Sequence, residues 1–216
     1  MFIATAAIGG TLTTISYLTH VGNVNSATIT VPASARTGDF LLLIDISSNS
    51  SGGAVPTNVV PSGWTQITTV GASAVRGTSS WKLATSSDPG ATVTGMDALF
   101  DAKLLVVFRP NIPATSASTA DSGIELTGGD PSAQIITSGS GTVPLVGIGV
   151  YWASAEEPQG RSFSPAADGE INNGSILLYL RYKSYNFGTT PADITVDMAD
   201  SDFSSLLHSF YFQMSR

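Results

Sequence analysis

Apolar runs of strand length, separated by glycine- and proline-rich turns, constrain this chain more than any other feature. Thr28-Ile29-Thr30-Val31, Thr92-Val93-Thr94 and Ile194-Thr195-Val196 alternate polar and apolar residues. That period of two places one side of an extended segment in a core and the other in water. Longer apolar stretches at 40–46, 103–108, 145–152, 176–182 and 210–214 are rich in β-branched and aromatic residues, which suit a pleated surface. Between them stand Ser50-Ser51-Gly52-Gly53, Pro61-Ser62-Gly63, Asp88-Pro89-Gly90, Gly128-Gly129-Asp130-Pro131 and Asn172-Asn173-Gly174. These residues preset a turn or tolerate positive φ. The pattern predicts roughly twelve strands and no helix, as in a sandwich or barrel. The fold class expected is all-β, an antiparallel jelly-roll-like β-sandwich.

The chain echoes itself. Residues 89–96, with Pro89 and Met96, resemble 191–198, with Pro191 and Met198 in the same places. Leu104-Leu105 with Phe108 resembles Leu206-Leu207 with Phe210. One reading is a single sandwich domain over 1–216 built from two similar halves, about 26–110 and 130–216. The other is two β-meanders that share only composition. Residues 110–141 are rich in Ser, Thr, Ala, Gly and Pro. They are expected to carry short edge strands, such as 123–126, that cross between the halves, because long structureless loops are uncommon inside compact domains.

Charge excludes one class of partner. Charged residues make up 12% of the 216, with nine Lys+Arg against sixteen Asp+Glu and a net charge of −7. The basic residues are scattered from Arg36 to Arg216. A nucleic-acid binder needs them clustered to displace counterions, so no nucleic-acid partner is expected. Without cysteine there is neither a disulfide framework nor a thiolate metal site. The apolar runs fall far short of the ~18 residues of a helical span, so no membrane partner is expected. No basic residue precedes Arg36, whereas a secretory signal opens with positive charge. Synthesis in a cytoplasm is therefore expected.

Candidate chemistry is sparse. A nucleophilic triad needs a positioned histidine, and the chain has His20 and His208, both in strand contexts and neither near a Gly-x-Ser-x-Gly elbow. Both read as structural. Glu156-Glu157 and the pair Asp168 and Glu170, with Trp152 nearby as a sugar-stacking ring, have the residue types of a glycosidase. They also lie in a loop-rich segment where solvated acids are ordinary. Asp197, Asp200 and Asp202 offer carboxylates to a Ca²⁺ ion, without the glycine and terminal glutamate of an EF-hand loop. The corresponding stretch around Asp97 and Asp101 has fewer acids. Trp64 and Trp81 would make a carbohydrate platform if they shared an exposed face, and core plugs otherwise. No phosphate loop or His-Glu-x-x-His motif is present. The expectation is a protein that is not an enzyme, with no cofactor, no metal and no catalytic residue assigned.

One set of motifs resembles a known group. In order they are Ile29-Thr30-Val31-Pro32, Gly38-Asp39-Phe40-Leu41-Leu42-Leu43, Pro61-Ser62-Gly63-Trp64-Thr65, Trp81-Lys82-Leu83-Ala84, Asp88-Pro89-Gly90 and Leu105-Val106-Val107-Phe108-Arg109. This succession resembles the β-sandwich virion structural proteins of tailed bacteriophages, across residues of about 26–110. The resemblance brings no catalytic residues with it. It implies a virion location and a structural role, chiefly as a capsid decoration or auxiliary head protein. The alternative it implies is a receptor- or glycan-binding module of a tail or fibre, with host surface glycan as ligand. Partners implied are other capsid or tail proteins and further copies of the chain in a homo-oligomer.

Overall fold

The alternating segments fold as strands. The computed structural model describes residues 10–48, 59–72, 75–96, 101–127, 134–136, 142–153, 158–174, 178–198 and 205–216. The first half supplies β1 (Ile15–Val24), β2 (Ile29–Thr30), β3 (Phe40–Ser48), β4 (Thr65–Ala72), β5 (Val75–Leu83), β6 (Thr92–Val93) and β7 (Asp101–Pro110). The second supplies β8 (Ser116–Thr127), β9 (Gln134–Ile136), β10 (Leu145–Ala153), β11 (Ser162–Ser164), β12 (Gly169–Asn172), β13 (Leu178–Tyr185), β14 (Ile194–Asp197) and β15 (Ser205–Ser215). Among the described residues there is no helix. The protein is an all-β antiparallel sandwich.

Each half builds one five-stranded sheet and one small covering sheet. The large sheets run β1-β7-β3-β5-β4 and β8-β15-β10-β13-β12, the small ones β2-β6 and β9-β14-β11. With β11 set aside, these are one topology written twice: first, last, third, fifth and fourth strand in the large sheet, second and sixth in the small one. The chain thus alternates between layers within each half, as a jelly roll does. The halves divide at 111–115, between β7 and β8. Residues 116–127 do not cross between halves as the sequence suggests. They form one long edge strand, paired along its length with β15.

The two large sheets face each other. Phe40, Leu42, Ile44, Leu104, Val106 and Phe108 meet Val146, Ile148, Val150, Leu180, Phe210 and Phe212 in one buried cluster. At its centre the rings of Phe40 and Phe212 lie parallel with centroids 3.9 Å apart, and Phe108 meets Phe212 at 5.2 Å. The sheets are laid so that β4 contacts β8 and β1 contacts β13. Gly22 on β1 rests against the Asn173 backbone just after β12, where a Cβ would come within 1.9 Å of the carbonyl oxygen. The edge strand that opens each half therefore lies by the far edge of the other sheet, an approximate two-fold arrangement like an isologous dimer.

The outer faces are covered as well. Leu41, Leu43, Leu105 and Val107 pack under Ile29, Val31, Val93 and Met96. Tyr151, Tyr179 and Leu207 pack under Phe163, Ile194, Val196 and Met198. The second cover sits close because β10 carries Gly147 and Gly149 beneath it. A Cβ at Gly147 would fall 1.8 Å from the Ile194 Cδ1 atom.

Candidate functional site

The residues around the start of β3 and the ends of β5 and β7 converge into one set of loop locks. Asp39, just before β3, is 3% exposed. It accepts hydrogen bonds from Arg109 Nε at 3.0 Å and Nη2 at 2.7 Å, and from the Arg36 amide at 2.8 Å. Arg109 also donates to the Ser34 carbonyl at 2.6 Å. The charge-assisted contact with Asp39 raises the guanidinium's already high pKa further. Gly38 has φ of +85°, and a Cβ there would come within 2.8 Å of Pro113 and of the Ala114 nitrogen. At the same end of β5, Lys82 donates to Asp88 Oδ1 at 2.7 Å, while the amide and hydroxyl of Thr85 donate to Oδ2 at 2.6 and 2.8 Å. Burial raises the Asp88 pKa, but these bonds outweigh it and hold the carboxyl below its usual range. The sequence motif is thus a connected polar framework around the ends of β3, β5 and β7.

The tryptophans do not share a face. Trp64 packs on the outer cluster under the first cover. Trp81 faces the inter-sheet core, stacked on Phe40 at 5.2 Å. Both are half-buried, less enclosed than core plugs would be. Trp152 is buried between the sheets with 2% exposed, so it is no sugar-stacking ring beside the acids.

The histidines are placed very differently. His20 lies within β1 and its Nδ1 is 2.7 Å from the Tyr17 hydroxyl; burial lowers its pKa and raises that of Tyr17. His208 is 1% exposed, and its Nδ1 lies 3.2 Å from Ser79 Oγ across the sandwich. That distance matches a nucleophile and its base. Ser79 is itself 3% exposed, so no substrate reaches the pair, and it serves as a polar tie between the sheets. Sequence gave no sign of it, since the partners are far apart in the chain.

Asp168 and Glu170 are engaged in ion pairs. Asp168 binds Lys183 at 2.6 Å and accepts from the Ser184 amide at 2.8 Å. Glu170 lies 2.5 Å from Arg181 Nε and 3.4 Å from Arg161 Nε. Arg161 lies over the Tyr179 ring at 3.9 Å. Tyr151 donates to the Ser162 carbonyl at 2.5 Å, and burial pushes its phenol pKa well up. This network ties β11, β12 and β13 together. Asp197 Oδ1 accepts from the Met198 amide at 2.9 Å. Glu156, Glu157, Asp97, Asp200 and Asp202 lie outside the described residues. Among the described residues no three His, Cys, Asp or Glu side chains gather into a metal site.

Among the described residues, shallow hollows lie at two places on the surface. One, of about 290 Å³, is lined by Gly10, Leu12, Val143, Pro144, Phe187 and Arg216 among others; Phe187 is half-exposed at its rim. The other, of about 130 Å³, lies beside Arg36, Asp39 and Arg109. Neither brings together a nucleophile, a base and a charge stabiliser. No protein-family model, no curated protein and no solved structure matches this chain.

Proposed function

We propose that the protein is a structural component of a tailed-phage virion, a decoration or auxiliary protein on the head surface. The observation that carries this reading is the framework around Asp39, Arg109, Lys82 and Asp88, formed by the residues that resemble the phage group. Its chemistry is that of loop fixation: the carboxylates are bonded internally, leaving little capacity for a substrate. The low charge content is compatible with a surface that packs against neighbours. Further copies of the chain, or repeated copies of a capsid protein, are the partners that suit a two-sheet module of this kind. Such a contact would bury at least ~1,000 Å² in total.

The test is location. The chain, tagged at a loop and co-expressed with the other particle proteins of its phage, should co-sediment with assembled heads and appear as regularly spaced density on them. Density on the tail or fibre, together with binding to host surface glycan, would replace the head reading with a receptor-binding one. Absence from purified particles would end both.

A further inference from the structure

On the outer face of the first large sheet, the strand register lines up one polar row. Asn23 on β1, Lys103 on β7, Asp45 on β3 and Thr78 on β5 are successive cross-strand partners. Its two charged members are sealed from solvent. The Lys103 side chain is 0% exposed and that of Asp45 4%, with Nζ 3.0 Å from Oδ1. The rows beside them hold buried Leu43, Leu105 and Ser47.

An ion pair in such a place contributes little to stability, because removing two charges from water offsets most of their attraction. Burial disfavours both charged forms. Passing one proton from the ammonium to the carboxylate relieves both penalties and leaves an amine against a carboxylic acid. Those are the reactants of amide condensation. Fixing them in contact on neighbouring strands supplies the effective concentration that free reactants lack.

We propose that Lys103 and Asp45 join in an intramolecular isopeptide bond. The Lys103 Nζ attacks the Asp45 Cγ, a Cγ–Oδ bond breaks, and the departing hydroxyl leaves with one hydrogen from the nitrogen as water. No oxidant, nucleotide or second substrate is consumed. The product staples β3 to β7 at the centre of the first sheet. The proposal does not rest on the virion reading, since the chemistry depends only on the pair and its burial.

The test is the intact mass of the full-length protein under denaturing conditions. It should be lighter than its sequence by one water, and digestion should give one branched peptide carrying both Lys103 and Asp45. Lys103→Arg, which keeps the charge but cannot make this bond, should show the full sequence mass. Wild-type protein at its sequence mass would overturn the proposal, and this measurement needs no folded variant. A loss of water that persists in Lys103→Arg would belong to another reaction and would overturn it too.

Discussion

Asp39 and Arg109 meet through two hydrogen bonds, 3.0 and 2.7 Å long, where β3 begins and β7 nears its end. Because Phe40 and Phe108 are cross-strand partners, each charged residue is held one position from a fixed point of the ladder. The pair anchors the 34–39 loop over the end of the sheet, through the Ser34 carbonyl and the Arg36 amide. Replacing Asp39 with Ala strands these donors near a buried position. We expect a loss of about 2 kcal/mol, read as a lower denaturant midpoint. Arg36→Ala keeps the backbone bond and should change stability by less than about 0.5 kcal/mol.

Asp88 gives the protein an acid limb. Its folded pKa lies below the ordinary value because the bonds from Lys82 and Thr85 outweigh the effect of burial. The unfolded chain therefore takes up the proton first. The stability this carboxylate contributes is present above its unfolded pKa of about 4 and is lost as pH falls through the lower folded value. Lys82→Met should flatten that loss. Chemical denaturation between about pH 2 and pH 6 measures it.

The two half-buried tryptophans should respond differently to trimming. Trp81 stacks on Phe40, and its indole nitrogen is buried without a hydrogen-bond partner among the described residues. Trp81→Phe keeps the ring contact and removes that polar atom, so a change under about 1 kcal/mol is expected. Trp81→Ala opens the core and should cost about 3 kcal/mol. Trp64→Ala removes only cover from the outer cluster and should cost about 2 kcal/mol. Thermal unfolding of the three variants gives the order.

Gly147 is the tightest point beneath the second cover. Gly147→Val would drive side-chain atoms into Ile194 and lift β14 from the sheet. A loss of about 3 kcal/mol is expected, with raised hydrogen exchange at 194–197. Gly63, whose Cβ position is open but whose φ is +79°, should lose only about 1 kcal/mol on change to Ala. The contrast separates crowding from backbone strain.

How much of this was legible depends on the range of the interaction. The unbroken apolar run Phe40-Leu41-Leu42-Leu43-Ile44 is local, so a strand buried on both faces can be read there directly. Turn residues such as Gly63 and Gly90 announce positive φ on their own. Residues 116–127 were harder, because an edge strand exposed along one side needs little hydrophobicity, and Ser-Ala-Ser-Thr-Ala looks like a linker. The facing of Trp64 against Trp81 was hidden because Trp64 precedes β4 and follows no alternation. Ser79 with His208, and Asp45 with Lys103, are ties between distant segments, and nothing in either local sequence reports the other. The Asp168 and Glu170 acids were visible, but their arginine and lysine partners on other segments were not.

The division of one sheet per half has a consequence for synthesis. When the first half has left the ribosome, β3 and β7 can pair, yet Phe40, Leu42, Val106 and Phe108 still face water. Their dry partner is the wall of Val146, Ile148, Phe210 and Phe212, and the last of those residues belong to β15, the final strand of the second half. The nascent protein therefore carries an uncovered apolar face through the whole translation of its second half. Such intermediates are prone to aggregate, so yield in a cell should depend on elongation rate and chaperone supply more steeply than the stability of the finished sandwich would suggest.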